Sequence, residues 1–231
     1  MESQESSSKD RILENEAELM KSIPALAKIE EKDIISTLFS FYKSLLPEEV
    51  FILQFLYNNG PSTIRRIRRE YAIEIFKSRH ISPIGLEFVF QDLIKKGFKL
   101  PEAPMSAMKI AIKTGDFEHL RVLSESDFEF FINFVNAISS RKVRSYYTLK
   151  NILEDLENAG VVAKRELKER RAETVYFLSP KFSKLCSIAV NYLESIQNPT
   201  SIELEVYKFI TGKELPLKKP STQENIEHKK R

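Results

Sequence analysis

Hydrophobic positions fall at helical spacing along most of this chain, and the places where that spacing breaks define its organisation. Residues 1–10 are rich in Ser and Glu, show no apolar period and read as disordered. Arg11 to Ile29 accommodates a loose helix interrupted at Pro24. From Asp33 to Leu46 the apolar set Ile34, Ile35, Leu38, Phe39, Phe41, Tyr42 and Leu45 is wider than one stripe. It predicts a helix buried on more than one side. Pro47, Glu48 and Glu49 suit the first turn of a second helix, which runs through Phe51, Ile52, Phe55 and Leu56 to Asn58-Asn59-Gly60. A third spans Pro61 to Lys77, with Ile64, Ile67, Tyr71 and Ile75 inward. Ser82-Pro83 opens a fourth, which buries Leu86, Val89, Phe90 and Leu93 and stops at Gly97. Short strands are then expected at Phe98 to Leu100 and at Met108 to Lys113, where Ile110 and Ile112 alternate with polar neighbours.

The second half repeats the first. A short helix is expected over Asp116 to Leu123, and Ser126 with Glu129 forms a capping box ahead of Phe128, Phe131, Ile132, Val135 and Ile138. Ser145 caps a helix carrying Leu149, Ile152, Leu153 and Leu156, and Gly160 ends it. Two β-prone runs follow, Val161 to Arg165 and Glu173 to Leu178, around the charged loop Glu166 to Ala172. At an offset of 63 residues Ser82 falls on Ser145, Leu86 on Leu149, Val89 on Ile152, Phe90 on Leu153 and Gly97 on Gly160. The expected strand Met108 to Lys113 falls on Arg171 to Tyr176, giving two hairpins of equal length. After the second hairpin Ser179-Pro180 caps a long helix to about Gln197. Thr200 and Glu203 box a last helix to Ile210, although Ile202 to Val206 also alternates like a strand. From Gly212 onward the chain is rich in Lys and Pro and reads as a flexible tail.

Helix, glycine stop, strand, basic loop, strand is the order of a winged-helix module, a recognition helix followed by a β-hairpin wing. The run TLKNILEDLENAGVV leading into a basic hairpin resembles the recognition helix and wing of PadR- and MarR-type transcriptional regulators, over about 40 residues. The expected fold is mainly α with small β-hairpin wings (α+β), as two winged helix-turn-helix units in tandem. The boundaries are a polar arm at 1–32, a first winged helix at 33–115, and a second at 116–197 that includes the long helix. A short element with a basic tail follows at 198–231.

Composition narrows the chemistry. Among 231 residues there are 16 Phe and no Trp, so the cores are expected to be Phe-filled. One cysteine excludes an internal disulfide and a multi-cysteine metal site. With a polar N-terminus and no long apolar run, neither a signal peptide nor a membrane span is expected, and the cytoplasm or nucleoid is the assigned compartment. His80, His119 and His228 lie far apart without metal-binding spacing, and six glycines offer no phosphate-cradling loop. Neither catalytic residues nor a cofactor are assigned, and an enzyme is not expected.

The net charge of +3 is unevenly spread: residues 1–33 hold nine Asp and Glu against five Lys and Arg, which leaves the middle and the tail basic. In the second unit the outward positions of the recognition helix are Tyr146, Tyr147, Lys150, Asn151 and Glu154, with Ser145 at its cap. Asn can pair with adenine, Lys with guanine or phosphate, and Tyr with phosphate or apolar base edges. Arg141, Lys142 and Arg144 precede the helix, and Lys164, Arg165, Lys168, Arg170 and Arg171 populate the wing. Arg65, Arg66 and Arg69, with Arg68 beside them, add a basic run that is either a solvated face or a phosphate contact.

Double-stranded DNA is thus the expected partner, for a transcriptional regulator or a replication-origin or plasmid-replication factor. The tandem arrangement is similar to that of crenarchaeal winged-helix replication initiators. The first unit instead presents Ile84, Glu87, Phe88, Gln91 and Lys95, which suits a protein partner at least as well. A non-catalytic bridging subunit, as in the kleisin-binding partners of bacterial condensins, is therefore the alternative. The resemblance to PadR-type regulators further implies a homodimer through the long helix 180–197.

Overall fold

The structure is a computed structural model that describes residues 31–167 and 173–216. It is mainly helical with one small three-stranded antiparallel sheet, an α+β arrangement. The chain forms two compact units whose boundaries cut across those read from the sequence. A terminal unit joins residues 31–58 to 180–216, and a central unit comprises 59–179. The arm 1–30 and the tail 217–231 lie outside the described residues.

Four helices make the terminal unit: α1 (Glu31–Ser44), α2 (Pro47–Asn59), α9 (Pro180–Ser195) and α10 (Ser201–Thr211). Phe41 of α1 meets Phe182 of α9 edge-on at 5.6 Å, and Tyr42 stacks on Phe209 of α10 at 5.0 Å. Such contacts add to the area each ring buries. Gln54 and Asn58 of α2 donate to the carbonyls of Lys208 and Thr211 at 2.9 and 3.1 Å. They thereby satisfy the end of α10, where helical carbonyls lack partners. The Thr200–Glu203 capping box is present and Ser201–Thr211 is helical, so the alternating reading of that segment falls away. The apolar face of α9 (Phe182, Leu185, Cys186, Ala189, Val190, Leu193) is covered within this unit, packed with α1 and α10. The stripe that would have served a homodimer through 180–197 is therefore already occupied.

The central unit begins with β1 (Ser62–Thr63) and α3 (Ile64–Lys77), followed by α4 (Pro83–Lys95), α5 (Glu102–Thr114), α6 (Glu118–Arg121) and α7 (Glu125–Ile138). It closes with α8 (Tyr146–Asn158), β2 (Val162–Leu167) and β3 (Glu173–Leu178). Its core is Phe-rich: Phe76 meets Phe131 edge-on at 5.4 Å, and Phe90 meets Phe134 at 5.6 Å. β3 is the central strand, in the order β1-β3-β2. Lys164 pairs with Tyr176 and Arg165 with Val175, while on the other edge Ser62 pairs with Tyr176 and Thr63 with Val175.

Several expectations are corrected here. Met108 to Lys113 is not a strand but part of α5, because Pro104, Ala107, Met108 and Ala111 bury one helical face. The alternation of Ile110 and Ile112 was too short to outweigh that stripe. Phe98 to Leu100 has no regular structure, so the first hairpin is absent and the described residues hold one sheet, not two. Pro61 to Thr63 lies outside the third helix: Thr63 caps α3, accepting from the Arg66 amide, and donates its backbone to the sheet. The cap of α7 is Ser124, which accepts from the Asp127 amide, whereas the expected box partner Glu129 turns to Arg68.

The offset of 63 residues nevertheless marks something real. α4 and α8 have matching limits, 83–95 and 146–158. Ser82 accepts from the Gly85 amide as Ser145 does from that of Thr148. Both helices end in a Schellman motif, with Phe98 N–H donating to Leu93 O at 3.1 Å and Val161 N–H to Leu156 O at 3.0 Å. Gly97 and Gly160 take φ of 85° and 74° there. The repeat thus covers a capped helix and its stop, and ends before the hairpin.

Candidate nucleic-acid interface

α8 turns Leu149, Leu153 and Leu156 into the core, which leaves Tyr147, Lys150, Asn151 and Asp155 exposed. Tyr147 is 77% exposed, and Tyr146, at 40%, meets it edge-on at 5.8 Å. Tyr147 and Asn151 are four residues apart, one above the other on the outer face. The helix is polarised: its one cation, Lys150, lies in the N-terminal half, after Arg144 in the preceding loop, and carboxylates (Glu154, Asp155, Glu157) lie at its end. The half that suits an anion is the N-terminal half, where the helix dipole also favours negative charge.

The loop ahead of α8 is held by side chains that sequence reasoning passed over. Asn136 brackets Val143, accepting its N–H at 2.6 Å and donating to its carbonyl at 3.3 Å. Arg68 donates to the Arg144 carbonyl at 3.1 Å and forms a forked pair with Glu129. Lys142 Nζ donates to the carbonyls of Asn136 and Ser139, closing the end of α7. Lys142, expected on DNA, is thus a capping residue. Ser145 likewise has its hydroxyl engaged, by the Thr148 amide at 3.1 Å and the Thr148 hydroxyl at 2.9 Å. A glutamate four residues from an arginine would have been legible on one helix, but Arg68 and Glu129 lie on different ones and carried no sequence signal.

The basic run on α3 divides in two. Arg65 and Arg66 are exposed. Arg69 instead points inward: it donates to the carbonyls of Arg121 and Leu123 at 2.6 and 2.8 Å and lies 4.3 Å from the Phe128 ring centre. Its side chain is 16% exposed, and its pair with Glu125 at 3.2 Å completes the fork. Arg69 is therefore a packing residue, contrary to its expected phosphate contact.

On the hairpin, Lys164 pairs with Glu157 of α8 at 2.7 Å, and this bond raises its pKa. Arg165, next along the strand and so directed to the other face, is exposed. Lys168, Arg170 and Arg171 lie outside the described residues. Lys150 sits 3.5 Å from Glu154, both well exposed, a pair of the kind worth about 0–1 kcal/mol that a phosphate can displace. Arg65, Arg141 and Arg165 make no ion pair among the described residues. Arg144 is exposed as well.

Among the described residues no three His, Cys, Asp or Glu side chains group as a metal ion would require, and no helix is long and apolar enough to cross a membrane. Cys186 is buried, and its thiol is pushed up to about 12 by that burial. No protein-family model, curated protein or solved structure matches the chain.

Proposed function

We propose that this protein is a non-catalytic duplex-DNA-binding protein, a transcriptional regulator or replication factor, that reads DNA with α8 and its hairpin. The reading includes a revised winged helix, single rather than tandem. In it β1 and α3 supply the third strand and the supporting helix, α8 the recognition helix, β2–β3 the wing, and residues 78–145 an insertion. The pairing of Ser62-Thr63 with Val175-Tyr176 supports this reading, since it joins strands from either side of that insertion into one sheet.

The observation that carries the proposal is the N-terminal surface of α8. A bare tyrosine, a lysine and an asparagine project together, preceded by the exposed Arg141 and Arg144, and Arg165 is exposed on the hairpin. Lys and Asn supply donors for base edges, and the flanking arginines suit phosphates.

The test is fluorescence anisotropy with random duplex DNA at two salt concentrations. Affinity should fall steeply with salt, with a slope near −0.9 per phosphate neutralised. Arg165→Ala and Arg141→Ala should each lower that slope by about one unit. Tyr147→Ala with Asn151→Ala should weaken a selected sequence more than random DNA. Binding that is negligible at low salt, or unaffected by all of these changes, refutes the proposal. A protein-interaction subunit remains the second reading, favoured by one observation: Ile84 and Phe88 of α4 are 84% and 76% exposed.

A further inference from the structure

Leu149, Leu153 and Leu156 seat α8 in the core and fix the direction of its outer face. The segment ahead of it has no such anchor of its own. Residues 139–145 form no regular structure, yet they carry Arg141 and Arg144, two of the cations assigned to phosphate. A connecting segment of this kind samples many conformations unless side chains hold it.

This one is held from both neighbouring helices. Asn136 of α7 accepts the Val143 N–H at 2.6 Å and donates to the Val143 carbonyl at 3.3 Å, and Val143 is buried. Arg68 of α3 has all three of its nitrogens turned inward. Nε donates to the Arg144 carbonyl at 3.1 Å, and the two terminal nitrogens take the two oxygens of Glu129. The side chain is 17% exposed, so Arg68 is itself fixed by Glu129 and holds the Arg144 backbone in place.

The repeated helix supplies an internal comparison. α4 matches α8 in length, serine cap and glycine stop. Ahead of α4, however, residues 79–81 make only backbone bonds among the described residues, from Arg79 N–H to Phe76 and from His80 N–H to Lys77. Of the two helices, the clamp stands ahead of the one whose outer face bears Tyr147, Lys150 and Asn151.

We propose that Asn136 and Arg68 are positioning residues that set DNA selectivity: they hold residues 141–145 in place before DNA arrives, so that Arg141 and Arg144 meet phosphates in a fixed register with the bases facing α8. The proposal rests on the DNA-binding reading above and adds what makes that binding selective. Phosphate contacts carry no sequence information themselves, but they set the register in which base edges are read. A loosened loop keeps its charges and still finds phosphates, whereas it no longer dictates which bases lie under Tyr147 and Asn151.

Fluorescence anisotropy of the full chain tests this with two labelled duplexes, one of random sequence and one enriched from random sequence by the wild-type chain. Asn136→Ala removes both bonds to Val143. Arg68→Lys keeps the charge but cannot span Glu129 and the Arg144 carbonyl as a guanidinium does. Circular dichroism confirms that each variant is folded in the assay. Either variant should bind random duplex within about twofold of wild type and with an unchanged salt slope, because the loop arginines remain. The enriched duplex should bind about tenfold less tightly, the loss expected when one base contact is misplaced. A general structural defect lowers both affinities together, and a lost phosphate contact lowers the slope, so neither imitates a fall in the ratio alone. Amide exchange in the free protein is the second readout: the Val143 N–H should exchange about tenfold faster or more in Asn136→Ala. An unchanged ratio in a folded variant, or unchanged exchange at Val143, overturns the proposal. A wild-type chain with no affinity for DNA at low salt refutes the DNA reading and this proposal with it. Binding without preference for any enriched sequence overturns the proposal alone.

Discussion

Arg69→Ala separates a packing role from a DNA role on a helix where the sequence shows only a basic run. The guanidinium makes two charge-assisted bonds to carbonyls, at 2.6 and 2.8 Å, and covers the Phe128 ring. Bonds to a charged donor contribute about 1.5–3 kcal/mol each, and a cation over an aromatic face about 0.5–2 kcal/mol. The pair with Glu125, whose side chain is 65% exposed, adds about 0–1 kcal/mol. Truncation opens a path for water to the two carbonyls and returns part of that sum, which leaves an expected loss of about 2–4 kcal/mol. With an unfolding entropy of about 2.1 cal/mol/K per residue, a 3 kcal/mol loss lowers Tm by about 12 °C if residues 59–179 melt alone. The shift is about 6 °C if all 231 residues melt together. Urea titration followed by far-UV circular dichroism measures the loss directly. Arg69→Lys should fall between, because an ammonium keeps the charge but lacks the second nitrogen that reaches Glu125 and the flat guanidinium that covers Phe128. Arg65→Ala should leave the urea midpoint unchanged and weaken DNA binding. An unchanged midpoint for Arg69→Ala, coupled to a drop in DNA affinity as large as that of Arg65→Ala, would show that Arg69 faces the ligand and that the packing argument is wrong.

Gly160→Ala should destabilise by about 1–2 kcal/mol, since its φ of 74° is strained for any residue with a Cβ; urea midpoints for Gly160→Ala and Gly160→Asn, the latter milder, check this. Cys186 should resist a thiol reagent at pH 8 in the folded protein and react once urea exposes it, because its thiol is held up to about 12; prompt labelling of the native chain would contradict its burial. Burial raises Tyr57 and Tyr176 as well as Cys186. A raised folded pKa means that stability is full below the unfolded value, about 8.5 for a thiol, and is lost as pH climbs through the folded value. Urea midpoints should therefore fall steadily above about pH 9, and a rise there would reverse the assigned sign.

Local chemistry is what the sequence by itself determined. Helix limits marked by a side-chain cap and a left-handed glycine were legible, as at Ser145 and Gly160 or Ser82 and Gly97, because those signals act within a few residues of themselves. The Thr200–Glu203 box and the strand Glu173–Leu178 were legible for the same reason. The tyrosine, lysine and asparagine on the outer face of α8 followed directly from the apolar stripe opposite them. Tertiary structure decided everything that depends on distant partners. Ser62-Thr63 becomes a strand only because Val175 and Tyr176 arrive beside it, and two residues carry no period to read. Met108 to Lys113 joins a helix because its buried partners are other helices, where a following strand would have made the same residues a hairpin. Arginines that look alike in the sequence part company for the same reason. Arg65 stays in solvent, while Arg68 and Arg69 turn toward acceptors more than fifty residues away, and no local pattern announces which direction a cation will take.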